Sequence, residues 1–169
     1  MVAVTLRATI TVQDASGVAD LAAGEFYLGS MITALPEGAI VTSVRFPVWT
    51  KGRVGAGFHE VSARRNDFAL VASAAQVALD ADGRCTALSV GIGGAADTPV
   101  RLEAVSEALL GSRLDEAVVQ RAVVAGLDDL ATLDDLHASA AYRKRVATTV
   151  ARRAILEARQ EALGGQHAR

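Results

Sequence analysis

The chain has 169 residues, of which 51% are hydrophobic, so it can bury the core of an ordinary domain and is not a disordered chain. Its net charge of −2 is unlike the basic balance of nucleic-acid-binding domains, and its apolar runs fall far short of the roughly 20 residues of a membrane-spanning helix. The single cysteine, Cys85, excludes a disulfide within the chain, and the first residues do not resemble a secretory signal, so we expect a cytoplasmic protein.

The first part of the chain predicts β-strands. Residues 2–12 alternate apolar and polar side chains with a period of two, which indicates a strand with one buried face. Residues 13–17 predict a turn, after which residues 18–21 can pair back as a second strand. Residues 23–29 are typical of one helical turn closed by glycine, and residues 39–46 form a β-rich run that ends at a proline.

A second sheet is predicted after a boundary at residues 50–53. Residues 54–62 begin this sheet, and residues 69–79 and 84–92 form a hairpin. An Asp-Gly pair at 82–83 supplies the turn of that hairpin. The Ala- and Val-rich arm that precedes the turn also suits a helix when it is considered alone.

From residue 100 onward the apolar period changes to 3.6, which predicts helices over 102–110, 114–127 and 139–163. Ser139 is a suitable N-cap for the longest of them. One face of that helix carries small side chains that allow close packing: Ala147, Ala151, Ala154, Ala158 and Ala162. Another face carries a stripe of Arg145, Arg152 and Arg159 that offers a possible docking surface.

The order of the elements defines the expected fold class. Strands come first and helices last, which predicts an α+β arrangement. We expect a small antiparallel sheet over residues 54–93, packed with a three-helix C-terminal bundle over residues 101–163.

One glycine-rich segment has the form of a nucleotide-binding motif. Residues 91–96 match G-x-G-x-x-A, but such a loop must open directly into a helix whose N-terminus holds the pyrophosphate. Residues 97–99 intervene here, so we expect the exit from a hairpin instead.

The remaining titratable groups form no strong motif. His59, His137 and His167 are scattered along the chain, whereas a metal site needs convergent ligands. The acidic pairs at 128–129 and 134–135 lie in an expected interhelical loop, where solvated carboxylates are usual.

The most concentrated mixed segment is residues 58–68, with aromatic residues at both ends and two arginines. Arg64 and Arg65 suit pairing with a phosphate or a carboxylate, and they equally suit an internally salt-bridged loop. Both interpretations stay open at the level of residue pattern.

Five segments, taken together and in order, resemble one family. Residues 24–29 and 33–47 resemble the end of the flavin domain in the medium subunit of molybdenum hydroxylases, the carbon monoxide dehydrogenase and xanthine dehydrogenase family. Residues 58–71, 91–101 and 137–154 resemble the C-terminal domain of the same subunit. The similarity covers nearly the whole chain.

This resemblance implies a three-part enzyme. A large subunit holds the molybdenum cofactor, a small subunit carries iron–sulfur clusters, and the medium subunit holds FAD, which collects electrons. Residues 1–50 would then be the C-terminal remnant of the FAD-binding domain, and residues 51–169 the flavoprotein C-terminal domain. The family's two glycine-rich diphosphate loops have no match here, so we expect a partial FAD site that a separate N-terminal half could complete.

The resemblance also places four residues near the flavin. Phe68 would shield one face of the isoalloxazine ring, and Asp67 would fix the loop that carries it. Leu35 would form part of the pocket wall, and Arg64 would pair with flavin phosphate or with a partner subunit.

The expected function is that of a fragment of an electron-transfer flavoprotein subunit. It would contribute part of the FAD pocket and the docking surface for the iron–sulfur and molybdenum subunits. The alternative is a non-enzymatic assembly module of the same fold that has lost FAD.

Overall fold

The structure, a computed structural model, describes residues 1–64 and 67–164. In chain order the elements are α1 (Val2–Thr5), β1 (Thr9–Asp14), β2 (Gly17–Ala22), α2 (Ala23–Phe26), β3 (Tyr27–Gly29), β4 (Ile32–Thr33), β5 (Ile40–Arg45), β6 (Arg53–Ser62), β7 (Ala69–Leu79), β8 (Cys85–Gly93), β9 (Val100–Arg101), α3 (Glu103–Leu109), α4 (Glu116–Gly126) and α5 (Ala140–Ala162).

The strands form antiparallel sheets. The first sheet has the order β2-β1-β5, a short pair joins β3 to β4, and the large sheet has the order β6-β7-β8-β9. The fold class is the predicted one, with small antiparallel sheets and helices. The β7–β8 hairpin settles the ambiguity between helix and strand, because Leu79 pairs with Cys85 across a turn in which Gly83 adopts a φ of +77°.

The prediction of one strand over residues 2–12 is wrong in its first half. Val2–Thr5 form a short helix, and the strand begins only at Thr9, which pairs with Ala22 at the end of β2. The helix lies against β8, where the Ser89 hydroxyl donates a hydrogen bond to the carbonyl of Thr5. In this segment the alternating apolar residues lie in a short helix that packs on β8. An alternation of period two does not by itself distinguish such a helix from a strand.

Helix α5 packs directly on β6 and β7 through its alanine face. The five alanines of this face, Ala147, Ala151, Ala154, Ala158 and Ala162, are all buried, in agreement with the close packing that the sequence predicts. Gly55 and Gly57 make the close approach possible, because a Cβ at either position would lie 2.1 Å from a carbonyl oxygen of α5, that of Ala158 or Ala154 respectively. Ser139 caps the helix, its hydroxyl accepting a hydrogen bond from the amide of Tyr142 at 3.3 Å.

Helices α3 and α4 complete the main core. Each of the fully buried Val and Leu side chains that they and the intervening segment contribute stabilises the fold by about 1.5–3 kcal/mol. These residues are Val105, Leu109, Leu114, Val119 and Val123. Two arginines of the α5 stripe contact acidic residues of the same fold: Arg152 pairs with Glu116, and Arg159 lies 3.9 Å from Asp115.

A smaller core lies under the first sheet. It consists of Val4, Ala8, Ile10, Val12, Ala23 and Phe26. In contrast, all six residues of β5 are exposed, and large apolar side chains project from this part of the molecule. They include Val18, Leu28, Met31, Ile32, Ile40, Val41, Val44 and Phe46. None of the helices in the described part of the chain has the length and apolar character needed to cross a membrane.

Candidate functional site

The β6–β7 loop, residues 63–68, holds three of the four predicted site residues. The carbonyl of Arg64 accepts hydrogen bonds from the Ser62 hydroxyl at 2.9 Å and from the Asp67 amide at 3.2 Å. The Asp67 carboxylate accepts the amide of Phe68 at 2.9 Å. Arg65, which belongs to the predicted segment, lies outside the described residues.

Phe68 stands at the end of this loop with its ring in solvent. The residue is 95% exposed, whereas a phenylalanine usually buries most of its surface. An exposed aromatic ring offers a flat apolar face to another planar group. The Asp67 carboxylate holds the backbone amide of Phe68, the residue that carries the ring.

A β-bulge lies at the base of the loop. Val61 pairs with Val71, and Ser62 pairs with Ala69, so Leu70 is an extra residue on β7. A bulge residue loses its ladder partner, and a buried carbonyl then needs another donor. The Leu70 carbonyl accepts a hydrogen bond from Arg143 Nη1 at 2.6 Å.

Arg143 is a buried arginine at the start of α5 that joins three segments. Its Nη1 also donates to the carbonyl of Gly94 at 2.8 Å, and its Nη2 donates to both carboxylate oxygens of Asp135 at 2.8 and 2.7 Å. We call Arg143, Asp135 and the carbonyls of Leu70 and Gly94 the Arg143 cluster. The guanidinium, together with the amides of Ala138 and His137, lowers the pKa of Asp135 to about 2.

Leu35, the fourth predicted residue, lies in the other part of the molecule. It is half-buried and packs against the small core under the first sheet. Its amide donates a hydrogen bond to the Thr33 hydroxyl at 3.4 Å. The structure therefore brings Arg64, Asp67 and Phe68 into one loop and places Leu35 against the small core under the first sheet.

The glycine-rich segment serves packing. A Cβ at Gly91 would lie 2.2 Å from Thr5 Oγ1, and one at Gly93 would lie 2.7 Å from Met1 Cγ. These glycines therefore make room for α1 on β8, and the next helix opens only at Glu103. The expectation that this segment is a hairpin exit is correct.

The histidines and acidic pairs have local roles. His59 Nε2 lies 3.1 Å from Glu157 Oε2, and the amide of His137 donates to Asp135 at 2.9 Å. Asp134 accepts the first amide of α5 at 3.2 Å. His167 lies outside the described residues. Within the described ranges, no three metal-ligating side chains converge.

An apolar pocket of about 370 Å³ lies between α1 and the large sheet. Val2, Leu6 and Phe58 line it, and among its described lining residues only Gln76 and Glu157 are polar. A carboxylate at the wall repels a phosphate group, so this pocket does not suit the diphosphate of FAD. Phe68 is not among the residues that line this pocket.

Sequence reasoning missed the Arg143 cluster. A usable signal was present, because Arg143 lies four residues before Ala147 on the same helical face as the buried alanines. A charged residue on a face that is otherwise buried must find partners inside the fold.

The glutamates of α5 that cover the edge of β6 were also missed. Glu157 accepts the amide of Phe58 at 3.1 Å, and Glu161 accepts the amide of Ala56. These contacts occupy two outward-facing amides of an edge strand, which would otherwise be open to pairing with another chain.

Comparison with known proteins defines the class of this fold. Residues 56–158 match the model of the CO dehydrogenase flavoprotein C-terminal domain. The chain belongs to this family, and the relatives that it matches are medium subunits of molybdenum hydroxylases.

Individual relatives agree with the family match. The carbon monoxide dehydrogenase medium chain of Afipia carboxidovorans is 31% identical over 146 residues, which cover 86% of this chain and 50% of the relative. The nicotine 6-hydroxylase medium subunit of Paenarthrobacter nicotinovorans is 31% identical over 94% of this chain and 54% of the relative. The crystal structure of quinoline 2-oxidoreductase from Pseudomonas putida 86 superposes with a TM-score of 0.88 at 28% identity, covering 96% of this chain and 55% of that one. The chain thus spans about half the length of the curated relatives that it matches.

Proposed function

We propose that this chain forms one wall of the FAD site in the medium subunit of a molybdenum hydroxylase complex. The observation that carries the proposal is the exposed ring of Phe68 in the β6–β7 loop, in a chain that belongs to a flavoprotein domain family. An exposed ring whose own amide is hydrogen-bonded to the neighbouring Asp67 is consistent with a planar partner that covers it.

Each residue would have a distinct task toward the flavin. Bound FAD supplies the chemistry of accepting two electrons and releasing them to an acceptor. Phe68 would cover one face of the isoalloxazine ring and exclude water from it. Asp67 would hold the Phe68 amide, and Leu35, which packs against the core under the first sheet, would contribute an apolar wall. Arg64, which is exposed, would pair with a phosphate or with a partner subunit.

The diphosphate of FAD would be held by protein outside the sequence described here, on the same polypeptide or on another. The exposed apolar residues of the first sheet support this part of the proposal, because a surface of that kind is typical of an interface. We further propose that an iron–sulfur subunit and a molybdenum subunit complete the complex, as the resemblance implies. In the α5 stripe, Arg152 pairs with Glu116 and Arg159 lies 3.9 Å from Asp115, whereas Arg145 lies over the ring of Tyr142.

The test replaces Phe68 in the complex isolated from its host. We expect Phe68→Ala to lower the flavin content and to shift the flavin midpoint potential, and Phe68→Tyr to preserve both, because tyrosine keeps the ring face. Phe58→Ala is the matched control, since Phe58 is the half-exposed aromatic residue on β6. Equal flavin content and potential in all variants would contradict the ring contact. A complex that assembles without any flavin would favour the non-enzymatic assembly module.

A further inference from the structure

The β6–β7 loop is joined to the rest of the fold by a buried charged group rather than by regular strand pairing. The ladder between β6 and β7 is interrupted at Leu70, two residues after Phe68. The direction in which β7 leaves the loop therefore depends on what holds the bulge.

The Arg143 cluster holds it from three sides. Arg143 is 4% exposed, and its guanidinium reaches Leu70 at the base of the loop, Gly94 after β8, and Asp135 between α4 and α5. Nη2 donates to both carboxylate oxygens of Asp135, and Nη1 donates to the carbonyls of Leu70 and Gly94. Because the guanidinium is rigid, the Asp135 contact at Nη2 and the carbonyl contacts at Nη1 fix each other's geometry.

Gly94 packs against the carbonyl of Leu70, the group to which Arg143 donates. It adopts a φ of +78°, and a Cβ there would lie 2.8 Å from the Leu70 carbonyl oxygen and 3.1 Å from that of Ala69. The backbone of the bulge is thus enclosed between Gly94 and Arg143, with little room to shift. The Asp135 loop is itself tied to this region, since the amide of Leu133 donates to the carbonyl of Ala95 at 2.8 Å.

We infer that Arg143 is a positioning residue for the flavin contact, one that sets the direction of Phe68 by holding the bulged backbone at Leu70. This inference rests on the proposed function, because it assigns to Phe68 a ring to cover. Arg143 does not touch the flavin in this account. It acts through the carbonyl of Leu70, and Asp135 acts through Arg143 in turn.

A conservative change at this position separates charge from geometry. Lysine keeps the positive charge beside Asp135, but its one ammonium nitrogen cannot take the places of both Nη2, which contacts Asp135, and Nη1, which donates to the two carbonyls. Arg143→Lys should therefore keep more of the stability of the fold than of the order of the loop. A purely structural role would predict that stability and loop order change together.

The first measurement is hydrogen exchange on the chain itself. Arg143→Met should speed the exchange of the amides of residues 67–71 by about tenfold or more, because their local opening no longer breaks charge-assisted hydrogen bonds. Arg152→Met is the matched control on the same helix, since Arg152 pairs with Glu116 of α4 and not with the loop. Equal protection of residues 67–71 in the two variants would overturn the inference.

The second measurement is a double-mutant cycle on FAD binding to the deflavinated complex. Loss of one or two charge-assisted hydrogen bonds predicts that Arg143→Met raises the FAD dissociation constant by about tenfold. If Arg143 acts through Phe68, the same change made in Phe68→Ala should raise it by less than about twofold further. Full additivity would overturn the inference.

Two outcomes of this cycle are distinct from each other. A Phe68→Ala variant with an unchanged FAD dissociation constant would refute the ring contact, and with it the role assigned to Arg143. A weakened Phe68→Ala variant with additive effects would leave the ring contact in place and refute the positioning role alone. If Arg143→Met does not fold, Arg143→Lys replaces it in both measurements, with the same expected direction.

Discussion

Replacing Gly57 by alanine tests the packing of α5 on β6 most sharply. The added Cβ would lie 2.1 Å from the carbonyl oxygen of Ala154 and 3.0 Å from the amide nitrogen of Ala158. Ordinary contacts of this kind are about 3.4 Å or longer, so the helix and the strand must separate by about 1 Å. Both obstructing atoms belong to backbone, and no side-chain rotation relieves the clash.

The cost of that separation can be estimated from the overpacking of other cores. Inserting a methyl group into a filled interior costs about 1–3 kcal/mol, and the upper end applies where backbone must move. For a chain of this size we expect Tm to fall by about 2–12 °C. Thermal and urea unfolding followed by circular dichroism would measure both quantities.

Gly24→Ala is the control for this prediction. Gly24 lies in α2, and a Cβ there meets nothing within 4 Å, so the change should leave stability unaltered or raise it by up to about 1 kcal/mol. The Tm of Gly24→Ala should therefore not fall. If the Tm of Gly57→Ala also stayed within about 1 °C of that of the unchanged protein, α5 would not lie against β6 as described.

Three further predictions concern single side chains. Glu161→Gln should weaken the hydrogen bond that covers the Ala56 amide and increase aggregation on heating, as measured by light scattering; an unchanged onset temperature would argue against a role in edge protection. The pKa of Asp135 is lowered to about 2 in the folded protein, so its contribution to stability should be complete above about pH 4 and should decline as the pH falls from 4 to 2. Asp135→Asn should flatten this part of the curve of unfolding free energy against pH. An unaltered slope would refute the assignment. Burial raises the pKa of the Cys85 thiol to about 11, so iodoacetamide at pH 8 should alkylate Cys85 only after unfolding, and rapid labelling of the native protein, seen by mass spectrometry, would contradict that burial.

Much of the C-terminal part of the fold could be predicted because its signals are local. The turn at Gly83, the change of apolar period after residue 100 and the N-cap at Ser139 each act over a few residues. The helix at Val2–Thr5 could not be predicted in this way. Its four residues are too few for a helical period to emerge, and what holds it is contact with β8, far along the chain.

The candidate site was predictable in part for the same reason. The aromatic and charged residues around Phe68 form a dense local segment, and the family resemblance gave that segment a role. The bond from Arg143 to Leu70 joins residues 73 positions apart, and no local pattern encodes it. Only the place of an arginine on a buried helical face pointed to an internal partner.

The central claim is that this chain works as the flavin-contacting wall of a molybdenum hydroxylase medium subunit. The most direct test is to isolate the tagged chain from its native host and to record the visible spectrum and the subunit masses of what accompanies it. We expect flavin and iron–sulfur absorbance in a complex with at least two other subunits. A colourless protein recovered alone would contradict it.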